Sequence, residues 1–340
     1  MKKDISVAAF TGGRFVPSAR FRVRQYIEPM RLQGVNVVEY CAPLGKYPPL
    51  VKAIRPFWGV ATLLTQLPGI VGSYQHDVTL LQREILSTFS TLEPLTKRPR
   101  VFDVDDAIWL NGNGRFAEKL ARQSDGVICG NSFLAEQFGR WNSNVSIVPT
   151  AIDTDRYFPV PGGNSPIIGW SGTSSGYKYL YNIESALTIV LKRFPTAIFR
   201  IVSDAMPAFK ELPMNRVEFI RWSPVLEVTA IQGMTIGIMP LEDTLWEQGK
   251  CSFKMLTYMA CGVPVVVSSV GMNNEILRKG DIGLGAKSLV DWVEALSSLL
   301  ENREKGSEMG RAGRQVVVDN YSVNVISPLL AKLLIHFAGD

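Results

Sequence analysis

Short runs of β-branched and apolar residues alternate with segments of helical length along the chain, and this alternation most constrains its fold. Residues 5–10 read as a strand, Gly12 and Gly13 as a turn, 19–32 as a helix stopped by Gly34, and 35–40 as the next strand. Strand, crossover helix and second strand form the βαβ unit from which parallel sheets are built. Further strands are predicted at Val78–Gln82, Arg100–Val104, Gly126–Cys129 and 145–148. A stretch holding Pro149, Pro159, Pro161, Gly162, Gly163 and Pro166 then reads as a linker. A second series follows, with strands at 167–170, 198–202, 217–220, Ile236–Met239 and 263–268 and helices at 180–192 and 253–261. The expected organisation is α/β, a Rossmann-like domain over 1–155 and another over 156–320. An apolar helix within 321–340 either closes the second domain or crosses back to the first. With 340 residues, each half is long enough to bury its own core.

Composition narrows the class. Hydrophobic residues make up 46% and charged residues 20%, with no low-complexity tract, which excludes a disordered chain. The first apolar run stops at Thr11-Gly12-Gly13, too short for a signal-peptide core or a membrane span, so a cytoplasmic location is expected. Cys41, Cys129, Cys251 and Cys261 lack CxxC spacing, and His76 and His336 are the only histidines, so free thiols and no metal site are expected. A histidine placed like His76, just before a strand, is expected to be structural.

The net charge of +5 is concentrated at the front. Residues 1–60 carry Lys2, Lys3, Arg14, Arg20, Arg22, Arg24, Arg31, Lys46, Lys52 and Arg55 against Asp4, Glu28 and Glu39. Such a bias suits an anionic partner, or else a solvated basic face. Nucleic acid is not expected, because the basic residues lie in a Rossmann-like context without a recognition motif. Residues 44–74 combine Lys46, Lys52 and Arg55 with Tyr47, Phe57 and Trp58 and a long uncharged run. Two readings stay open there: an interfacial segment on an anionic membrane, or a core helix with a basic edge.

Repeated βα units place ligands at the carboxyl ends of strands, so chemistry is sought there. In IGIMPLEDTLWEQGKCSFKMLTYMACGVPVVVSSVGMNNE (236–275), a polar loop is expected to deliver Lys250 to a helix starting near Cys251 or Ser252. Amide groups and the dipole at such a terminus favour phosphate. In FDVDD, Asp103, Asp105 and Asp106 end a strand; they suit proton acceptance from a hydroxyl, a divalent metal, or the capping of a helix. Gly12, Gly13 and Arg14, followed by Arg20 and Arg22, form a glycine loop that lacks GxGxxG and suits a phosphate on donor or acceptor.

The stretch FKMLTYMACGVPVVVSS resembles the carboxyl-terminal signature of retaining glycosyltransferases of family 4, which have the GT-B architecture. IIGWSGTSSGYKYL is similar to the first strand and loop of that family's donor domain, VSIVPTAIDTDRYFP to its interdomain entry, and TGGRFVPSARFRVRQYIEPMRLQGVNV to its first βαβ. FDVDDAIW resembles a segment of a cell-envelope polysaccharide branch. The resemblance implies two Rossmann-like domains facing across a cleft, an acceptor on the first and a nucleotide diphosphate sugar on the second. No cofactor beyond that co-substrate is implied. It places Lys178, six residues after Gly172, and Lys250 at the donor diphosphate. Trp222, in the loop 221–223, is expected near the base, and the turn at 271–275 with Gly271, Asn274 and Glu275 near the sugar. Gly12 and Gly13 are expected beside the donor, Arg14, Arg20 and Arg22 beside the acceptor, and Asp105 and Asp106 at the reacting hydroxyl.

The family's pair of glutamates falls on Gly249 and Thr257, with Glu247 two residues away, and its arginine after the donor-domain glycine falls on Thr173. Thr257 is expected to hold the ribose and Glu247 the sugar. The implied function is transfer of a hexose-like unit to a glycan or lipid-linked acceptor with retention, in envelope polysaccharide synthesis. The alternatives are a catalytically weak or inactive scaffold that binds a nucleotide sugar or a partner transferase, and a nucleotide-sugar epimerase or hydrolase.

Overall fold

The computed structural model describes residues 4–339 apart from Phe15, Asn113, Gly162 and Asn164, so Lys2, Lys3 and Gly162 of the sequence reading lie outside the described residues. The chain divides into two compact units. The first is Met1–Ala151 with Gly249–Cys251 and Val323–Asp340, and the second Ile152–Gln248 with Ser252–Ser322.

In the first unit β1 (Ile5–Thr11), α1 (Pro17–Arg22), α2 (Ile27–Arg31), β2 (Val35–Cys41), α3 (Arg55–Ser73), β3 (Val78–Gln82) and β4 (Arg100–Val104) come in order. α4 (Arg115–Gln123), β5 (Gly126–Cys129), α5 (Ser132–Gly139) and β6 (Val145–Ile147) follow. The sheet runs β2-β1-β3-β4-β5-β6 with every pairing parallel; Val7, for instance, lies between Val37 and Val78. β3, β4 and β5 are buried at every position, the condition of parallel strands covered on both faces.

In the second unit the elements are β7 (Ile167–Ser171), α6 (Tyr177–Asn182), α7 (Glu184–Arg193), β8 (Ile198–Ser203), β9 (Val217–Arg221), α8 (Leu226–Gln232) and β10 (Ile236–Met239). α9 (Leu245–Gln248), α10 (Phe253–Ala260), β11 (Val265–Ser268), α11 (Gly271–Leu277), β12 (Gly283–Ala286), α12 (Leu289–Glu301) and α13 (Arg303–Tyr321) complete it. Its sheet, β12-β11-β10-β7-β8-β9, is again parallel throughout. The last helix, α14 (Val323–Gly339), belongs to the first unit: Ile326, Leu330 and Leu334 share one core with Val7, Val35, Val78 and Val101.

Two helix expectations are corrected, and one strand went unpredicted. The helix at 19–32 is two short helices joined by a 3-10 turn at Arg24–Tyr26. Pro29 has no N–H, so an unbroken helix would leave the Gln25 carbonyl without its partner. The helix at 180–192 is broken at Ile183. There the buried Glu184 turns inward to accept the backbone N–H groups of Lys210, Glu211 and Leu212 at 2.6, 2.6 and 3.1 Å. β12 carries no strand signal in GLGA, yet it pairs with β11, and a Cβ on Gly283 would lie 2.4 Å from the Val265 carbonyl oxygen. That close approach requires glycine and erases the β-branched pattern.

Arg22 is expected beside the acceptor, but it is buried in the first unit. Its Nε donates to Asp103 Oδ2 at 3.1 Å and a second nitrogen to Oδ1, while Nη1 donates to the Val148 carbonyl at 2.6 Å. Burial opposes both charges. For Arg22 the facing carboxylate outweighs it and the pKa rises; for Asp103 burial prevails over Arg22 and raises the pKa. The arginine is thus the fixed charge that ties α1 to β4. Arg22→Met is expected to cost about 3–5 kcal/mol in denaturant unfolding, because it strands a buried carboxylate. Arg22→Met with Asp103→Leu is expected to recover most of that loss.

Candidate functional site

In the first unit the chemistry gathers at the carboxyl ends of β1, β3 and β4. After β1, Gly13 adopts φ +92°, and its N–H donates to Thr11 Oγ1 at 3.1 Å, which in turn donates to Glu39 at 2.6 Å. Arg14 is exposed and Arg20 partly so. After β3, Arg83 holds φ +64°, a conformation rare for a residue with a side chain and one that concentrates at functional sites.

From that position the Arg83 guanidinium lies 3.6 Å from Asp106 and 3.9 Å from both Asp105 and Glu84. Lys46 stands 3.6 Å from Glu84, and Lys250 stands 3.7 Å from Asp106. Three cations and three carboxylates therefore share one patch. Lys46 Nζ, Arg83 Nε, Glu84 Oε2 and Asp105 Oδ1 are buried there without hydrogen-bond partners. Burial pushes the Lys46 ammonium down to about 8 against the upward pull of Glu84. Neither Asp105 nor Asp106 caps a helix: the 3-10 turn at Ile108–Leu110 and α4 both begin without a side-chain cap bond. Among the described residues no group of three or more His, Cys, Asp and Glu side chains is arranged to hold a metal ion.

Lys250 stands two residues before Ser252, the N-cap of α10, as expected. Gly249–Cys251 belongs to the first unit, where Asn131 Nδ2 donates to the Lys250 carbonyl at 3.1 Å and Cys251 Sγ to the Asp105 carbonyl at 3.2 Å. A Cβ on Gly249 would lie 2.7 Å from Ala107 Cβ and 2.9 Å from Ala107 N. A glutamate at this position, where the family resemblance expects one, has no room while the segment stays in place.

In the second unit, the loop after β7 is fixed by Asp204, which accepts the Ser174 N–H at 2.6 Å and its hydroxyl at 2.8 Å. A Cβ on Gly172 would lie 2.7 Å from Lys254 Cε, and the Lys254 ammonium stands 5.7 Å from the centre of the Trp170 ring. Lys178 is exposed and pairs with Glu242 at 3.1 Å and Glu247 at 3.4 Å; the hydrogen bond it donates to Glu242 leads in raising its pKa. Glu247 is buried. Burial pushes its pKa up, but the hydroxyls of Thr244 and Tyr179 and the Lys178 charge hold it below the usual range.

Thr257 is buried and donates to the Lys254 carbonyl of its own helix at 2.7 Å. Ser252, at φ +50° before α10, gives its hydroxyl to Asn273 at 2.7 Å rather than to the helix amides. Gly271, at φ +49°, starts α11 so close to α9 that a Cβ would lie 2.9 Å from the Gln248 backbone. Asn274 donates to the Ser269 carbonyl at 2.8 Å, Glu275 is partly exposed, and Trp222 is exposed after β9. Sequence reasoning missed Arg83, Glu84 and Lys254, and it read Lys46 as part of an interfacial segment or a basic helix edge, whereas Lys46 is buried beside Glu84. Applying to β3 the strand-end rule used for β1 and β4 finds Arg83 and Glu84.

Residues 165–302 match the family described as "Glycosyl transferases group 1". Apart from 249–251, this span lies in the second unit. No curated protein is a significant match by sequence. Among solved structures, the chain is similar to Anabaena HepE in complex with UDP and glucose, at 14% identity and TM-score 0.72 over 97% of this chain and 99% of that one. It is also similar to a glycosyltransferase from Rickettsia africae ESF-5, at 14% identity and TM-score 0.71 over 100% of both chains. WaaG, a glycosyltransferase involved in lipopolysaccharide biosynthesis, matches at 13% identity and TM-score 0.68 over 97% of this chain and 99% of that one. At these identities the likeness is one of fold, the GT-B glycosyltransferase fold.

Lys46 gives the patch a pH signature. Its folded pKa of about 8 lies below the ordinary 10.5, so across that window the unfolded chain holds a proton that the folded chain has released. Wild-type stability is therefore expected to rise with pH relative to Lys46→Met, by at most roughly 1.4 kcal/mol per pH unit. Denaturant unfolding of both proteins at several pH values through the window checks it.

Proposed function

We propose that the chain is a metal-independent, retaining glycosyltransferase that moves a hexose-like unit from a nucleotide diphosphate sugar to a glycan or lipid-linked acceptor in envelope polysaccharide synthesis. It works in the cytoplasm with peripheral contact to an anionic membrane. The observation that carries the reading is the family match over 165–302, which spans the loops of the second unit that hold Gly172, Lys178, Lys254 and Gly271. UDP and glucose in the HepE complex support a nucleotide-sugar donor, and the role of WaaG supports an envelope product.

In this reading Lys254, beside the Gly172 loop, and Lys250 and Lys178 stabilise charge on the departing diphosphate. The bond from the anomeric carbon to the diphosphate oxygen breaks. An acceptor oxygen bonds to that carbon on the same face, and its proton passes to the diphosphate or to Asp105 or Asp106. The unmet hydrogen-bonding capacity of Lys46, Arg83, Glu84 and Asp105 suits a polyhydroxyl acceptor, since donors and acceptors of both signs are offered. Trp222 takes the base and Asn274 and Glu275 the sugar, with Gly12 and Gly13 admitting the donor and Arg14 and Arg20 the acceptor.

A second reading has its own support. The lack of room at Gly249 and the internal hydrogen bond of Thr257 remove two polar donor contacts, which favours a scaffold that binds nucleotide sugar without turnover.

Thermal unfolding with UDP, GDP, ADP, CMP and TDP sugars tests donor binding. One base class is expected to stabilise the protein, by about 2.7 kcal/mol at a hundred times its Kd, and Lys254→Ala to abolish most of that shift. If no donor shifts folded protein, the donor assignment is wrong.

A further inference from the structure

Helix α3 is built inside out. Its buried positions are Thr62, Gln66, Gly69, Ile70 and Ser73, so apart from Ile70 polar and small residues face the unit. Gly69 and Gly72 bring it against Tyr40: a Cβ on Gly72 would lie 2.6 Å from the Tyr40 hydroxyl. Most of its large apolar residues are exposed, while Trp58 and Leu63 are half-buried. Phe57, Val60, Leu64, Leu67 and Val71 are exposed, Phe57 by 79% and Val71 by 69%. They recur at steps of three and four residues, which puts them on one line along the helix. Leu50, Val51 and Ile54 extend the exposed apolar surface just before it. A contiguous apolar stripe of this kind marks an interaction surface.

Charge identifies what covers it. Lys52 is exposed and Arg55 half-exposed at the start of the stripe, and no aspartate or glutamate occurs between Glu39 and Asp77. A second copy would bring the same cations to the same face with no carboxylate to meet them. An anionic lipid surface offers both apolar depth and negative headgroups. Among the described residues no helix is long and apolar enough to cross a membrane.

We infer that the outward face of α3, with Lys52 and Arg55 at its amino end, is the surface by which this chain docks on an anionic bilayer. The inference deepens the membrane part of the function proposed above. It is independent of the donor chemistry, because docking is read without any nucleotide.

The test is co-sedimentation of the full chain with phosphatidylcholine vesicles prepared with and without phosphatidylglycerol. Binding is expected only with the anionic lipid, and it should weaken as salt is raised. The double variant Leu64→Glu/Val71→Glu is expected to bind about tenfold or more weakly, and Lys52→Glu to bind more weakly and lose part of the salt dependence. Both exposed substitutions should leave the unfolding temperature and donor-induced stabilisation of the chain unchanged, which separates lost docking from lost fold or lost donor site. Equal sedimentation of wild type and double variant overturns the inference. So does the absence of vesicle binding together with a dimer in light scattering that the same variant dissolves, which would assign the stripe to a second copy.

Discussion

Among the described residues, every pairing between the strands of the two sheets is parallel. In a parallel sheet the strands all point one way, each connection must cross back over a face, and the loops that leave the strands gather along a single edge. That constraint sets the rest. It buries the strands on both faces, so β3, β4 and β5 are buried throughout, the polar Thr79, Gln82, Arg100 and Asp103 included. It also brings Gly13, Arg83 and Asp105 to one edge of the first sheet, and Gly172 and Pro240 to one edge of the second.

Within the first unit that edge is held by charge. The buried Arg22–Asp103 pair fixes β4 just before the strand end, so Asp105 and Asp106 emerge from a position that cannot drift without exposing two charges. Arg83, in a left-handed conformation, reaches both of those carboxylates as well as Glu84. Backbone strain of this kind costs of order 1–3 kcal/mol and persists where the surroundings over-determine it. The hydrogen bond from Asn131 and the close packing of Gly249 on Ala107 hold Lys250 in the same patch.

Strand positions were legible because β-branched runs such as 236–239 and 78–82 have few other uses. Gly283–Ala286 was not legible, because its glycines answer a close backbone approach that only the folded sheet creates. Helix interruptions at Val23 and Ile183 follow from a missing proline N–H and from an inward-facing Glu184, neither visible as a break in apolar periodicity. Asp105, Asp106 and Lys250, picked out by position and residue type, lie in one patch, whereas Arg22, expected beside the acceptor, is buried, because a buried and an exposed arginine look alike in sequence. Lys46 was read as a membrane-facing or edge cation and is instead buried, because its partner Glu84 comes from the end of β3. Tertiary pairing of that sort leaves no local pattern.

The central claim is that the chain cleaves a nucleotide diphosphate sugar. Proton NMR of the anomeric signals during incubation with a panel of such donors tests it most directly, because it reads both bond breaking and stereochemistry without a known acceptor. One donor class is expected to lose its signal, release nucleoside diphosphate, and give a first-formed sugar product with the anomeric configuration of the donor. Folded protein that binds a donor and leaves every anomeric signal intact would contradict it and make the chain a nucleotide-sugar-binding scaffold.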